Sequence, residues 1–345
     1  MNFDPGPLVE WTPQGLYCRR GDFYIDPQRG VNTAIITHAH SDHARRGSQH
    51  YFCTQSGLHL LKSRLGPKIK ATGIPYQQSF QLGEVQVSFH PAGHILGSAQ
   101  IRIEWDSQVW VVSGDYKREA DPSCEPFESV QCNTFITEAT FGTPRYIWDK
   151  TRQHGKEIYS WWAENAKSGV NSLLFGYSLG KTQRILAELA PYFTRPVVIH
   201  PSMQEITECY RAEGRKLAPT LGLDSPQLQK PLRGELILAP PSILKGEFLE
   251  QLGEYETAFA SGWMQGSSPF HQSGYDKGFV ISDHADWNDL NQSIKETGAK
   301  RVFVLHRSHG ALVRHLRKQG LEAYPISHLT QARYSDIVSP NLSLF

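Results

Sequence analysis

The chain has 345 residues, enough for one large domain or two ordinary ones. Its 35 basic and 34 acidic residues leave a formal net charge of +1, which argues against nucleic-acid binding by bulk charge and still allows a local basic groove. Five cysteines without a CxxC spacing argue against a disulfide framework or a zinc ribbon. With no signal-peptide pattern and no membrane-span pattern, we expect a cytoplasmic protein with reduced thiols and no membrane contact.

The first 140 residues predict short strands and turns. Residues 15–27 predict a hairpin around a glycine-containing turn, and residues 54–66 predict a helix that Gly66 closes. Apolar or alternating runs predict buried strands within residues 31–40, 84–94, 100–106, 109–119 and 134–142.

The pattern changes after about residue 148. A helix predicted within residues 156–169 is followed by strand-then-helix patterns, which indicate a small α/β unit with a parallel sheet. These patterns and further buried strands occupy residues 171–193, 195–214, 234–244, 256–263, 277–298 and 300–320.

Chemically reactive side chains recur at or just past the ends of the predicted strands. In layered α/β proteins, loops at strand ends can converge on one site. The residues concerned are His38, His94, Asp115, Glu138, His284 and His306.

The densest cluster is His38-x-His40-x-Asp42-His43, directly after an apolar run. Alternate residues of an extended segment share a face, so His38 and His40 can point at one ion. Asp42 and His43 follow at a turn, where the chain curls toward a second position. Two adjacent ions need roughly seven or eight ligands, including a shared carboxylate. The further candidates are His94, Asp115 and His306.

These motifs resemble a known family. The HxHxDH cluster, followed by a Gly-His and a Gly-Asp, resembles the metallo-β-lactamase signature, and "FYIDP" resembles its first motif, with Asp26 steadying the histidine loop. "TEATFG" at Glu138, "ISDHAD" at His284 and "VFVLHRSHG" at His306 resemble the motifs of the β-CASP branch of nucleic-acid hydrolases. The layout most resembles that of the bacterial DNA-ligase-associated exonucleases.

The resemblance implies an α/β fold, an αββα metallo-β-lactamase sandwich with an inserted α/β β-CASP domain. The sandwich would comprise residues 1–147 and 269–345, and the insert residues 148–268. It also implies two divalent ions, one held by His38, His40 and His94, the other by Asp42, His43 and His306, with Asp115 bridging them. His309 is the alternative to His306, because the glycine usual after that histidine is Arg307 here.

By the same resemblance, the two ions would generate a hydroxide that attacks phosphorus in line. Asp42 then counts among the catalytic residues as a ligand. His284 is the expected general acid for the leaving oxygen, with Glu138 orienting it. In the insert, expected to form the other wall of a cleft, "GYSLGKTQR" precedes a predicted helix. Helix N-termini attract anions, so the candidate substrate contacts there are Ser178, Lys181 and Arg184.

The substrate remains open between polymers. A DNA exonuclease of bacterial DNA repair, working beside ligase and helicase partners, is the preferred reading because of the compact layout. An RNA-processing enzyme of the RNase J or cleavage-factor type is the alternative, and a small-molecule hydrolase would have no use for the insert. Histidine-rich ligands favour Zn²⁺, whereas Mn²⁺ accepts mixed nitrogen and oxygen sites. No motif indicates 5′ or 3′ polarity.

Overall fold

The structure is a computed structural model that describes residues 6–245, 248–266, 274–305 and 309–330, without the side chain of His309. It has two compact units. The first contains the described residues up to Glu119, Pro126–Ile147 and those from His284 onward; the second contains Ala120–Glu125 and Trp148–Asp283. Within the described ranges, the helices are all too short or too polar to cross a bilayer.

The first unit contains two mixed sheets. Sheet 1 has strands in chain order: β1 Glu10–Thr12, β2 Gly15–Cys18, β3 Phe23–Ile25, β4 Thr33–Ile35, β5 His50–Thr54 and β6 Ala71–Ile74. Its first three strands are antiparallel and the rest are parallel. Sheet 2 contains β7 Phe80–Leu82, β8 Val85–Pro91, β9 Ala99–Trp105, β10 Gln108–Val112, β11 Thr134–Thr137, β18 Arg301–Val304 and β19 Glu322–Pro325. Its spatial order is β19-β18-β11-β10-β9-β8-β7.

The two sheets share one apolar core. In β8, Val85, Val87 and Phe89 are buried while Gln86 is exposed, which is the two-residue alternation of a strand with one face inward. These side chains pack with Phe23 and others from sheet 1 in a single cluster. Burial of this apolar surface is what holds the two sheets together.

Helices cover the outer faces. Helix α1, Leu58–Leu65, lies against sheet 1, where its Leu61 and Cys53 of β5 line one small pocket. On sheet 2, Leu290 of α5, Trp287–Glu296, and Leu312 of α6, His309–Lys318, pack in the outer cluster. Helix α5 begins where the Asp286 carboxylate accepts a hydrogen bond from the Asp289 amide at 2.7 Å, a standard N-cap.

The second unit is a parallel sheet. Its order is β14-β13-β15-β12-β16-β17. The strands are β12 Asn171–Phe175, β13 Val197–Ile199, β14 Thr220–Gly222, β15 Leu236–Ala239, β16 Tyr255–Ala260 and β17 Lys277–Phe279. The helices are α2 His154–Lys167, α3 Lys181–Leu189 and α4 Gln204–Ala212. Helices α2 and α3 bury apolar faces in one cluster on this sheet, and both faces carry apolar clusters, as parallel sheets require.

The predicted α/β class is confirmed. The hairpin expected within residues 15–27 is the antiparallel pair β2–β3, and the helix expected within residues 54–66 is α1. The predicted domain boundary at residue 268 would assign β17 to the sandwich domain, whereas β17 pairs with β16 in the parallel sheet of the second unit. A strand of only three residues, Lys277–Phe279, cannot reveal which sheet it joins, because either neighbouring strand would satisfy its backbone hydrogen bonds.

Candidate metal centre

Strand direction brings the predicted residues of sheet 2 to one edge. Strands β8 and β10 both pair antiparallel to β9, so they are parallel to each other, and β11 is parallel to β10. Their carboxyl ends therefore lie on the same side of the sheet. His94, Asp115 and Glu138 follow these three ends within three residues.

Three imidazoles and one carboxylate converge at this edge. Donor atoms of His38, His40, His94 and Asp115 all lie within 4.8 Å of one another. The Nδ1 atom of His40 is 3.0 Å from Nε2 of His38 and 3.1 Å from Nε2 of His94. The Oδ2 atom of Asp115 is 3.6 Å from Nε2 of His38 and 3.8 Å from Nε2 of His94.

This donor set fits a divalent ion. Nitrogen ligands lie about 2.0–2.1 Å from Zn²⁺, so two donors on a tetrahedral ion are roughly 3.4 Å apart, the range observed here. Three nitrogens and one carboxylate oxygen suit Zn²⁺ and also Mn²⁺. The predicted first ion position is thus chemically sound.

Hydrogen bonds beneath the site fix which ring nitrogens face it. The Asp26 carboxylate accepts from the Thr37 amide at 2.8 Å and from the Thr37 hydroxyl at 2.5 Å, and lies 2.7 Å from Nδ1 of His43. A carboxylate only accepts, so His43 carries its proton on Nδ1. The Thr37 hydroxyl donates its hydrogen bond to Asp26, so its oxygen accepts from Nδ1 of His38 at 3.1 Å. In their neutral forms, both histidines therefore present an unprotonated Nε2 atom to the site.

The electrostatics of the two rings differ. Burial, followed by the neighbouring His43, holds the pKa of His38 well below its usual range. Burial would also lower the pKa of His43, but the carboxylates of Asp115 and Asp26 outweigh it and hold that pKa well above its usual range. The neutral form of His38 is the form that ligates metals.

The second predicted position is described only in part. Asp42 is exposed, and its Oδ2 lies 3.7 Å from Nε2 of His43, which is itself 3.5 Å from Oδ2 of Asp115. His306 and the side chain of His309 lie outside the described residues. The described donors of this position are therefore Asp42, His43 and Asp115.

The predicted acid lies beside the cluster. Nδ1 of His284 is 3.0 and 2.9 Å from the two carboxylate oxygens of Glu138, and its ring centroid is 4.7 Å from that of His94. Glu138, 1% exposed, also accepts from the Tyr116 amide at 2.8 Å and the Thr140 hydroxyl at 2.6 Å. Asp115, Glu138 and His284 could themselves hold an ion. However, the Glu138 oxygens already accept from protein donors, so they suit orienting His284 better.

The candidate substrate contacts lie in the second unit. Lys181 and Arg184 are 2% and 1% exposed, and both side chains bind acceptors of that unit, including Asp283. Ser178 is partly exposed, with its hydroxyl 3.5 Å from that of Ser202. A substrate role for these three residues stays a prediction.

Sequence reasoning missed two hydroxyl groups that complete the site. Thr37 links Asp26 to His38, and Thr140 binds Glu138. Each stands within two residues of a motif residue. A signal existed, since candidate ligands need hydrogen-bond partners that orient them, and a threonine hydroxyl close in sequence can supply one.

Comparison with known proteins gives several relatives, although no family model matches. A probable DNA ligase of Opitutus terrae is 30% identical over 328 residues, which is 94% of this chain and 32% of that protein. An RNase J-like protein of Methanocaldococcus jannaschii is 24% identical over 201 residues (52% and 48%), and the endoribonuclease YSH1 of Gibberella zeae is 30% identical over 132 residues (37% and 15%). The chain spans less than half the length of each of these relatives.

A solved structure shares the fold. The crystal structure of a protein of unknown function from Enterococcus faecalis covers 80% of this chain and 76% of its own, with a TM-score of 0.55 and 14% identity. Fold and site together define the class of protein: an α/β protein whose histidine and aspartate side chains converge at the ends of strands. The relatives are members of the β-CASP metallo-β-lactamase family, which confirms the resemblance that the motifs predicted.

Proposed function

We propose that the protein is a metal-dependent nuclease that hydrolyses phosphodiester bonds of DNA. The observation that supports this most is that the His38–His40–His94–Asp115 cluster lies beside the His284–Glu138 pair. The ring centroids of His94 and His284 are 4.7 Å apart. Phosphodiester hydrolysis needs both a site for cations and a nearby proton donor. A protein that only stored metal would have no use for the second pair.

The fold assignment is part of the proposal. We take the first unit as a metallo-β-lactamase sandwich, because its two sheets share a core and carry α1 on one outer face and α5 and α6 on the other. We take the second unit as the β-CASP insert, because its all-parallel sheet interrupts the first unit in the chain.

The proposed ligand set follows the motifs. One divalent ion would be held by His38, His40 and His94, the other by Asp42, His43 and His306, with Asp115 shared. When bound, such ions lower the pKa of a shared water and neutralise charge on phosphoryl oxygens. Either Zn²⁺ or Mn²⁺ suits these donors.

The protein's own groups then have defined tasks. Asp26 keeps His43 turned toward Asp115 through its contact with Nδ1. As a bond forms between the water oxygen and phosphorus, the bond from phosphorus to the 3′ oxygen breaks. His284 would give that oxygen the proton on Nε2, since Nδ1 is directed at Glu138. The Glu138 carboxylate stabilises the charged ring before transfer.

DNA is the preferred substrate, and the protein would act as an exonuclease in repair, with ligase and helicase as partners. The relative that matches 94% of this chain is named as a probable DNA ligase, whereas the relatives named as RNases match 35–52% of it. The RNase names favour a second candidate, an RNA-processing nuclease with the same site. The two differ in substrate and share the chemistry.

The test is a cleavage assay on end-labelled single- and double-stranded DNA and RNA of one sequence, with Zn²⁺ and Mn²⁺ varied. We expect metal-dependent loss of DNA strands, abolished in His94→Ala. His50→Ala is the matched control, because His50 lies in the same unit, 2.8 Å from the Thr72 hydroxyl and outside the site. Faster cleavage of RNA would replace DNA by the second candidate, and intact strands under all conditions would overturn both.

A further inference from the structure

Helix α3 begins with two buried cations. Lys181 and Arg184 are 2% and 1% exposed, and they stand three residues apart, on one face of the helix. An unpaired charge at such depth is strongly disfavoured, so cations of this kind persist where anions or carbonyls receive them. The identity of those acceptors indicates what the helix holds.

Most of the acceptors belong to one continuous segment, whereas the Glu188 carboxylate of the same helix accepts from Nε of Arg184 at 2.7 Å. Nζ of Lys181 donates to the carbonyl of Ile281 at 2.7 Å and lies 2.9 Å from Oδ2 of Asp283. Nη1 of Arg184 donates to the carbonyl of Ser282 and lies 3.5 Å from Oδ1 of Asp283. Three successive residues are thus fixed by two side chains, through both backbone and carboxylate.

The next residue in the chain is His284. Its Nδ1 faces both oxygens of Glu138 at 2.9–3.0 Å, a geometry that a shift of the preceding peptide would break. Arg184 also lies 3.8 Å, through Nε, from Oδ2 of Asp121, which is six residues beyond Asp115. Arg184 therefore lies close to two chain segments, one that follows Asp115 and one that precedes His284.

We propose that Lys181 and Arg184 are positioning residues, which fix Ile281–Asp283 and so hold His284 in register with Glu138. This rests on the proposed function, in which His284 is the acid. It gives the two cations a protein target in place of a substrate phosphate. Placement within about 1 Å matters here, since such a displacement can cost on the order of 10²-fold in rate.

Four variants separate the possibilities. Lys181→Met keeps the apolar stem and removes the charge, and Lys181→Arg restores it. Lys181→Met combined with Asp283→Asn removes both charges of that ion pair, and it can be measured if the single variant does not fold. Arg211→Met is the matched control, because Arg211 on α4 donates to the Ala218 carbonyl and the Thr220 hydroxyl, both at 3.0 Å, and holds no site residue.

Kinetics on a DNA strand give the first readout. We expect Lys181→Met to lower kcat by about 10²-fold with KM changed by less than about threefold, and Lys181→Arg to recover most of the loss. The loss should shrink on a p-nitrophenyl phosphodiester, whose leaving group needs no proton, and should not add to that of His284→Ala. A raised KM at unchanged kcat, or full additivity with His284→Ala, would overturn the proposal in favour of substrate contact.

A second readout does not depend on activity. In ¹⁵N-labelled protein without added metal, the Nδ1 proton of His284, assigned by its absence in His284→Ala, should exchange slowly because Glu138 accepts it. We expect this signal to be lost in Lys181→Met and kept in Lys181→Arg and Arg211→Met. If no nucleic acid is cleaved, the proposed function fails while this test still stands. An unchanged signal in Lys181→Met would overturn positioning.

Discussion

Asp26 and Thr37 decide which ring nitrogens can bind a metal. The Asp26 carboxylate accepts hydrogen bonds from the Thr37 hydroxyl at 2.5 Å and from Nδ1 of His43 at 2.7 Å, and the Thr37 oxygen in turn accepts one from Nδ1 of His38. Asp26 has φ of 45°, a left-handed value that aspartate and asparagine tolerate better than other side chains. One acidic residue therefore orients two candidate ligands.

The first prediction concerns this residue. Asp26→Asn keeps the backbone preference but replaces an acceptor oxygen by an amide that cannot receive the His43 proton. We expect about 10- to 100-fold weaker binding at the position of His43, and a smaller loss for the ion beside His38 and His94, which Asp26 reaches only through Thr37. Isothermal titration with Mn²⁺ or Zn²⁺ measures both steps, and equal weakening of both would contradict the assignment.

The second prediction concerns Asp115. Its Oδ2 lies within 3.5–3.8 Å of the Nε2 atoms of His38, His43 and His94, so its charge would serve both proposed ion positions. Asp115→Asn should therefore lower the bound metal from about two ions per chain toward one or none, and abolish hydrolysis. Elemental analysis and circular dichroism check metal content and fold together. Two retained ions would show that another residue bridges them.

At the level of elements, two turns are packed backbone against backbone. Gly93, after β8, has φ of +73°, and a Cβ there would lie 2.2 Å from the Lys117 carbonyl oxygen, after β10. The Lys117 amide also donates to the Ala92 carbonyl at 3.0 Å. This close approach holds His94 and Asp115 at a common edge, and it requires a residue without a side chain.

The third prediction follows from that contact. Gly93→Ala should lower the free energy of unfolding by about 2–5 kcal/mol, from left-handed strain plus overpacking, and should weaken metal binding. Gly320→Ala is the control, because Gly320 has φ of +86° and nothing lies within 4 Å of an added Cβ. This change should lower the free energy of unfolding by only about 1–2 kcal/mol and leave metal binding intact. Urea unfolding and metal titration measure both. Equal effects of the two changes would refute the packing argument.

At the scale of the whole molecule, both units bury their thiols. All five cysteines are buried, and none of them forms a disulfide. Burial raises the pKa of Cys53 and of Cys132 to about 12 and that of Cys18 to about 11. The reactive thiolate is therefore scarce in the folded chain.

The fourth prediction is that native protein resists Ellman's reagent near pH ~8, whereas guanidinium-unfolded protein reacts at all five thiols. In the unfolded chain the thiols ionise near the ordinary value of 9.0, before the folded ones do. The stability that the raised pKa values of Cys18, Cys53 and Cys132 contribute is thus complete below pH 9 and declines as the pH rises toward about 12. Rapid stoichiometric labelling of folded protein would contradict this.

The sequence alone determined the α/β class and the local HxHxDH geometry, because hydrophobic period and neighbouring side chains are short-range properties. Asp26 and Glu138 also stand where the motifs suggested, next to His43 and His284. Tertiary structure decided the rest. His94, Asp115 and His284 are separated by many residues, and only the parallel directions of β8, β10 and β11 and the path of the chain bring them together.

Tertiary structure also decided the surroundings of the cations on α3. Lys181 and Arg184 at a helix start suggested an exposed anion site, because a sequence shows a charge but not its distant acceptor. In the fold, Asp283 lies about 100 residues further on and receives both cations, at 2.9 and 3.5 Å. Likewise, β17 pairs in parallel with β16 in the sheet of the second unit. A pattern of three residues cannot encode that choice of partner strand.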